Sequence, residues 1–495
     1  MLTKNIRHFS GVYPLYYYHK GNTFLHADRL CDLVIQQGFD KEINTDALAL
    51  YFQFGYIPEP YSIYKNTYKL PAGHSFEYNR ATNELKIEKY WDIWDIYRQP
   101  KLALNEIEAI EQTEVLMLKT YQEAFLEAFN PGVLLSGGYD SSSVAAILQV
   151  NSSQRIKTFS IGFEDPKYNE AHHAKRIAEH LATEHYEYYC TQKDAIALLP
   201  KLPDILDEPM GDPSIIPTVL ACLLAAQHVD SVMSADGPDE LLGGYDKYLS
   251  LGKKKALFGS VPIFAVSSAR TLMQSNLVSS LARMIGITNA VDRLERFSYM
   301  LGARENVLLK VNSSVFSPKE LTQMFLIKPE ILPTNYDVQI GENLIENAMA
   351  LDFTTSAMDA VLVKINRAAT FAGIKNIEPV QNRELIEHFV RLPMNLKINQ
   401  GNKKYILKQI VHKYIPKEIM ERPKQGFSVP LVDWLKDNLK EYLLDYLSKE
   451  NLQKTGLIDV DFVIKLRDNY LNGKNESATK IWLMLVFMLW WERWM

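Results

Sequence analysis

Cysteine is almost missing from this chain. Three occur in 495 residues, Cys31, Cys190 and Cys222, far apart and without metal-ligand spacing. That excludes a disulfide framework and suits a reducing, cytoplasmic compartment. A long apolar run is also missing. The most apolar stretch, Ile481 to Trp491, is shorter than the roughly 20 residues a membrane helix needs, so it reads as a buried terminal helix. The first residues, MLTKNIRHFSG, lack the apolar core of a signal peptide. Charge of one sign is scarce too. A formal net charge of -5 and one short run, Lys253-Lys254-Lys255, point to no nucleic-acid partner. What remains is ordinary globular composition, in a chain long enough for two domains.

The most informative stretch is Gly132 to Val150, GVLLSGGYDSSSVAAILQV. Val133-Leu134-Leu135 reads as a buried strand, and Ser136-Gly137-Gly138 as a tight turn. Asp140 and Ser141-Ser142-Ser143 then open a helix. Helix N–H groups and the positive end of the dipole point back at such a turn, which suits phosphate. No Gly-Lys-Ser/Thr follows, so it is not a Walker loop. The plainer reading is a strand-turn-helix with a capping serine. The pattern resembles the pyrophosphate loop of ATP enzymes that make an adenylate.

Before about Trp94 the chain reads as β-rich. Val12–Tyr18 and Thr23–Leu25 form a hairpin turning at Gly21-Asn22, a short helix starts near Thr45, and Ser75–Tyr78 pairs with Leu85–Tyr90. A boundary near Tyr97 gives two units, 1–97 and 98–495. Leu104 to Phe129 has helical spacing at Ile107, Ile110, Val115, Leu118 and Phe125. From Gly132 on, strands and helices alternate: strands at 157–163, 185–189 and 229–234, helices at 171–181 and 220–228. The expected fold is α/β, a parallel sheet with helices on both faces, plus the small β-rich unit. Ligands in such sheets sit beyond the carboxyl ends of the strands, where the loops at Ser136, Gly162 and Ala235 converge. Asp140 and Asp239 each lie in one of those loops. Two carboxylates are what Mg²⁺ takes when phosphate and water complete its shell. Asp236, Asp239 and Glu240 otherwise read as a solvated acidic turn.

At these residues the chain resembles the asparagine synthetase family, from about Ser10 to the end. Ser136-Gly137-Gly138-Tyr139-Asp140-Ser141-Ser142 is similar to its phosphate loop, and Thr158–Phe163 with Tyr168-Asn169-Glu170 to the strand that contacts adenine. Asp207-Glu208-Pro209 and Ser234–Glu240, ending in Gly243-Gly244-Tyr245, resemble its second signature, which holds Mg²⁺ and the α-phosphate. Arg422–Phe427 resembles its C-terminal lysine motif. The resemblance implies an AMP-forming ligase using ATP and Mg²⁺. It implies ATP contacts at Leu135, Ser136, Gly137, Gly138, Asp140, Ser141, Ser142, Ile161, Gly162, Ser234, Asp236 and Gly237. Asp140 and Asp239 become metal ligands, and Lys424 and Asp239 catalytic residues.

Two departures stand out. The family's glutaminase uses an N-terminal cysteine, but Leu2 stands second here, and Gly11 to Leu30 resembles the interior of that domain. Either the sequence starts late or glutamine hydrolysis was lost. The expectation is a partial glutaminase-like unit with an apolar sheet surface left for a partner chain or an altered homodimer. In the second departure, Lys364 and Arg367 match a Lys-Val-Asp-Arg run, but Asn366 replaces its aspartate. Lys375 replaces the glutamate that the resemblance assigns to deprotonating the attacking amine, and Glu378 lies three residues on. Lysine is a poor base near neutral pH unless its pKa is strongly depressed.

Two readings follow. One is a ligase that joins an amine, or ammonia that is free or released by a separate glutaminase, to a small-molecule or peptide carboxylate. That carboxylate need not be aspartate, since relatives without a working glutaminase close β-lactams or lasso peptides, or amidate sugar acids. The other is a non-catalytic nucleotide-binding scaffold. Asp140, Asp239 and Lys424 favour the first, Asn366 and Lys375 the second.

Overall fold

The computed structural model describes residues 2–259, 263–273, 278, 290–338, 343–421, 429–474 and 477–495. The N-terminal unit holds six strands, β1 (Leu2–Ile6), β2 (Tyr16–Lys20), β3 (Thr23–Ala27), β4 (Thr67–Lys69), β5 (His74–Asn79) and β6 (Glu84–Lys89). They form two antiparallel three-stranded sheets, ordered β1-β5-β6 and β3-β2-β4. The predicted hairpin is there, with Lys20 opposite Thr23 across the Gly21-Asn22 turn. So is the helix at Thr45, capped by Asn44 and stopped by Gly55 in left-handed backbone. Alternation decides what each sheet covers. Tyr17, Phe76 and Leu70 pack between the two sheets, while Tyr16 and Tyr18 turn the other way into the main core.

The outward face of β1-β5-β6 differs from the expected apolar surface. Leu2 and Ile6 are exposed there, but Lys4 pairs with Glu77 and Lys86 with Glu88 beside them.

Five parallel strands make the second sheet: β7 (Pro131–Leu134), β8 (Lys157–Phe163), β9 (Glu184–Cys190), β10 (Ser231–Met233) and β11 (Lys375–Ile377). The order is β11-β10-β7-β8-β9. The chain steps from β7 outward to β9, then returns to the other side of β7. That reversal opens a crevice above β7 and β10, where α/β sheets bind ligands. β7 is short and apolar because helices cover both faces of a parallel sheet.

The helix Glu106–Glu127 forms as expected, and Ile110, Leu118 and Phe125 pack partly buried against the core, but the expected stripe is not the most buried one. Ile107 and Val115 are exposed, whereas Ala109, Thr113, Met117, Thr120 and Tyr121 are buried. The terminal helix Ala478–Trp494 is buried from Lys480 to Trp490. One core joins both units. Tyr51 donates to the Leu483 carbonyl at 2.8 Å, and Trp490 Nε1 to the Asp207 carbonyl at 3.1 Å. Among the described residues no helix is long and apolar enough to cross a membrane.

Candidate active site

Beyond the carboxyl end of β7, Leu135 N–H still bonds to the Phe159 carbonyl at 2.8 Å, which keeps the chain in the sheet until Ser136. Gly137 then adopts φ +79, a conformation that costs a side-chain-bearing residue about 1 kcal/mol or more. Gly138 precedes the helix Tyr139–Val150. Serine does not cap that helix. Instead Ser141 Oγ reaches back, accepting from Ser136 N–H at 3.1 Å and meeting the Ser136 hydroxyl at 3.0 Å. The turn is thus closed by its own serines, and the helix N-terminus faces the crevice.

A cavity of about 530 Å³ fills the crevice, a size suited to a nucleotide. Of the expected contacts, Leu135, Ser136, Gly138, Asp140, Ser141, Ile161, Ser234, Asp236 and Asp239 line it. Gly137, Ser142, Gly162 and Gly237 do not. Ser142 is fully buried, Gly162 lies in β8 beside the Tyr189 ring, and Gly237 precedes the helix Pro238–Leu241. Tyr168 and Glu170 line one wall, Val361, Lys364 and Ile365 another. Lys424 lies outside the described residues, as does the rest of its motif.

The two carboxylates Asp140 and Asp239 of the cavity are joined behind its lining by a residue that the sequence did not single out. Lys404 Nζ lies 2.5 Å from Asp140 Oδ2 and 2.6 Å from Asp239 Oδ1. Burial alone would lower the Lys404 pKa, but the two carboxylates outweigh it and hold the ammonium above its ordinary value. Space for this pair exists only because residue 244 is glycine. A Cβ there would lie 1.8 Å from Asp239 Oδ1 and 2.2 Å from Lys404 Cε. Lys403 and Lys404 belong to no motif that the sequence reveals, so no local signal marks the second as buried.

Other acids are held closer to neutrality. Burial pushes Asp236 up to about 6; Lys364 opposes, and Asp140 and Asp239 add to it. Burial and the Asp239 charge push Glu240 up to about 8, with the Tyr245 hydroxyl donating to it at 2.6 Å. Lys364 donates to Asp212 at 2.7 Å and Ser214 at 2.8 Å at the cavity wall.

Among the described residues no group of three or more acidic, histidine or cysteine side chains is placed to hold a metal. Asp140 and Asp239 are therefore no protein-only cage. They fit Mg²⁺ that arrives with phosphates, since two carboxylates suffice for such an ion, and the ammonium between them shows that the pair accepts a cation.

Several expected residues lie elsewhere. Asp207 pairs with Arg367 at 2.5 Å and Arg29 at 3.0 Å; Glu208 pairs with Lys69 at 2.9 Å. These buried pairs join the N-terminal unit to the rest, so Asp207, Glu208 and Arg367 are structural here. Asn366 donates to the Val12 carbonyl at 2.6 Å, a role aspartate would fill badly because two acceptors would face each other. Lys375 opens β11, opposite Ser231, at the strand end away from the cavity, and is exposed. Glu378 follows the strand at the cavity end and is buried. A second cavity of about 360 Å³, between the helix Thr45–Phe54 and residues 295–332, holds none of the expected residues.

Comparison with known proteins gives the same picture. Residues 122–494 match the family model described as asparagine synthase, and residues 4–91 the one described as glutamine amidotransferase domain. The chain is 25% identical to an asparagine synthetase (glutamine-hydrolyzing) of Bacillus subtilis, over 97% of its own length and 73% of the relative's. It is 32% identical to a putative asparagine synthetase (glutamine-hydrolyzing) of Methanocaldococcus jannaschii, covering 72% and 68%. It is 21% identical to the amidase chyE of Penicillium rubens, covering 81% and 64%.

Proposed function

The chain belongs to the asparagine synthase family, and from that premise we propose that it is an AMP-forming ligase that activates a carboxylate with ATP and converts it to an amide. The observation that carries this is the glycine turn and helix N-terminus at Ser136–Asp140 facing the Asp140–Lys404–Asp239 centre across one cavity. The adenine end fits between Ile161, Phe159 and Tyr168, and the phosphates fit against the turn. A carboxylate oxygen attacks the α-phosphorus, the bond to the bridging oxygen breaks, and pyrophosphate leaves. Ser136, Ser141 and the helix N–H groups hold the phosphates; Lys404 neutralises charge as it builds on the leaving group. Mg²⁺, held by Asp140 and Asp239, would supply further neutralisation of pyrophosphate. An amine then attacks the acyl carbon and AMP departs, with Lys424 stabilising charge in that step.

Within this reading, 1–97 is a partial glutaminase-like unit and 98–495 the synthetase unit. The chain alone does not hydrolyse glutamine. Burial pushes the thiols of Cys31, Cys190 and Cys222 up to about 12, so none is a ready thiolate. Nitrogen then comes from ammonia or from a separate glutaminase in the cytoplasm, and a homodimer is the simplest assembly. Lys375 lies outside the cavity, which weakens the scaffold reading. The likeness to an amidase keeps a carboxylate other than aspartate open. Carboxylate-dependent exchange of labelled pyrophosphate into ATP tests the proposal: exchange with some member of a carboxylate panel supports it, and none across a broad panel leaves the scaffold.

A further inference from the structure

A buried line of polar side chains runs from the N-terminal unit to the turn after β10, and no step above uses it. It starts at the Val12 carbonyl, which accepts from Asn366 Nδ2 at 2.6 Å. Asn366 Oδ1 accepts from Asn376 Nδ2 at 3.3 Å, and the same amide donates to Glu378 Oε1 at 2.8 Å. The Ser234 hydroxyl meets Glu378 Oε1 and lies 3.2 Å from Asn376 Oδ1. Asp236 N–H donates to Glu378 Oε2 at 3.3 Å. Tyr13, also from the N-terminal unit, donates its hydroxyl to the Asn376 carbonyl at 3.3 Å. None of Ser234, Asn366, Asn376 and Glu378 is more than 9% exposed.

In such surroundings an unmade hydrogen bond costs about 1–3 kcal/mol, so each member fixes the next. The line ends on Ser234 and Asp236, both of which line the cavity. Its other members do not line it, so they act on a bound nucleotide only through that turn.

We propose that Asn366, Asn376 and Glu378 are positioning residues that brace the Ser234–Gly237 turn against the N-terminal unit, so that this unit sets how tightly the cavity holds a nucleotide. The proposal rests on reading the cavity as the ATP site. It gives the partial unit a task independent of glutamine, and it explains an amide at 366, where a carboxylate would repel the Val12 carbonyl.

The test is a double-mutant cycle on the full chain, read by calorimetric ATP affinity in millimolar Mg²⁺ and by hydrogen exchange of peptides covering Ser234–Gly237. Asn366→Ala and Glu378→Ala should each weaken ATP about tenfold and speed exchange in that turn. The double variant should be little worse than Glu378→Ala, because both changes break one line. Asn366→Asp, which keeps the shape, should match Asn366→Ala. Losses that simply add, or unchanged exchange at the turn in Asn366→Ala, would overturn the brace. Failure of the unaltered protein to bind ATP would remove the nucleotide reading, and with it the link to affinity. Normal binding with additive losses removes the brace alone. A variant that unfolds is replaced by Asn376→Ser, for which the same two outcomes hold.

Discussion

Lys404 donates to Asp140 at 2.5 Å across 264 residues of sequence, and its ammonium reaches Asp239 in the same place. A divalent ion bound without nucleotide would have to displace that lysine. Mg²⁺ alone should therefore leave the melting temperature of the unaltered protein unchanged at millimolar concentration. In Lys404→Ala the two carboxylates lose that ammonium, and removing one partner of a largely buried pair costs about 3 kcal/mol. That variant should melt earlier and recover with Mg²⁺. Equal responses to Mg²⁺ in both proteins would show that the ammonium does not compete for the site.

Gly244→Ala tests the same centre without touching a charge. Its Cβ would overlap Asp239 Oδ1 and Lys404 Cε; Lys404 is buried, and Asp239 is tied to it by the ion pair, so neither has much room to retreat. Pyrophosphate exchange should fall at least about a hundredfold, the loss expected when one preorganised charge contact is misplaced. Near-normal exchange would mean that the pair is not needed in this geometry.

The strand-turn-helix at Gly132–Val150 and the alternation of strands and helices after it were legible because they rest on local patterns: an apolar run, paired glycines, alternation of periods. The face of the helix Glu106–Glu127 was not. Its large residues Ile107 and Val115 suggested part of the stripe, but the helices Tyr139–Val150, Arg383–Arg391 and Tyr405–Val411 pack against it, and its fully buried positions are the small and medium side chains Ala109, Thr113 and Met117. Lys404 was invisible for another reason. Its partners come from distant strand ends, and nothing nearby separates a buried lysine from a surface one.

Asp140→Asn and Asp239→Asn should each abolish exchange, since each removes a negative charge from the pair that holds Lys404 and that would hold the Mg²⁺ neutralising the developing pyrophosphate. Lys424→Ala should separate the half-reactions. With Lys424 in the second step, exchange persists while amide formation drops about a hundredfold, equivalent to about 3 kcal/mol. Loss of exchange in Lys424→Ala would move that lysine to the first step.

Stability should fall as pH rises above about 6.5. Burial holds Glu240 and Glu378 up to about 8, above the ordinary carboxylate value. Folding keeps these acids protonated where the unfolded chain has lost the proton, so their contribution is present at low pH and disappears as pH passes about 8. Below 6.5 the half-buried His388, lowered to about 4, acts oppositely, because the unfolded chain takes up its proton first. The buried Lys397 ammonium, lowered to about 7, opposes the two acids above that pH, but one group offsets only one of them, so the melting temperature should decline from pH 6.5 to about 8. Glu240→Gln, which can still accept from Tyr245, should flatten that decline. An identical slope in the variant would show that Glu240 ionises normally.

The last prediction concerns Lys375, where sequence comparison suggests a cation in place of a catalytic carboxylate. A register of Lys375 with Ser231 puts it at the start of β11. The cavity opens at the other end, about 10 Å along the strand at about 3.3 Å per residue. The side chain is exposed, and Lys375 is not among the residues lining the cavity. A charge there is screened by water and does little to chemistry at the far edge. Lys375→Glu should thus leave ATP affinity, pyrophosphate exchange and amide formation within about twofold of the unaltered protein. It should not confer aspartate amidation where none existed. Glu378→Ala, three residues on, should lower ATP affinity about tenfold, because that carboxylate holds Ser234 and Asp236. If the order is reversed, with Lys375→Glu changing the reaction and Glu378→Ala silent, the strand is shifted relative to its neighbour. The acceptor half of the site would then have to be rebuilt around residue 375.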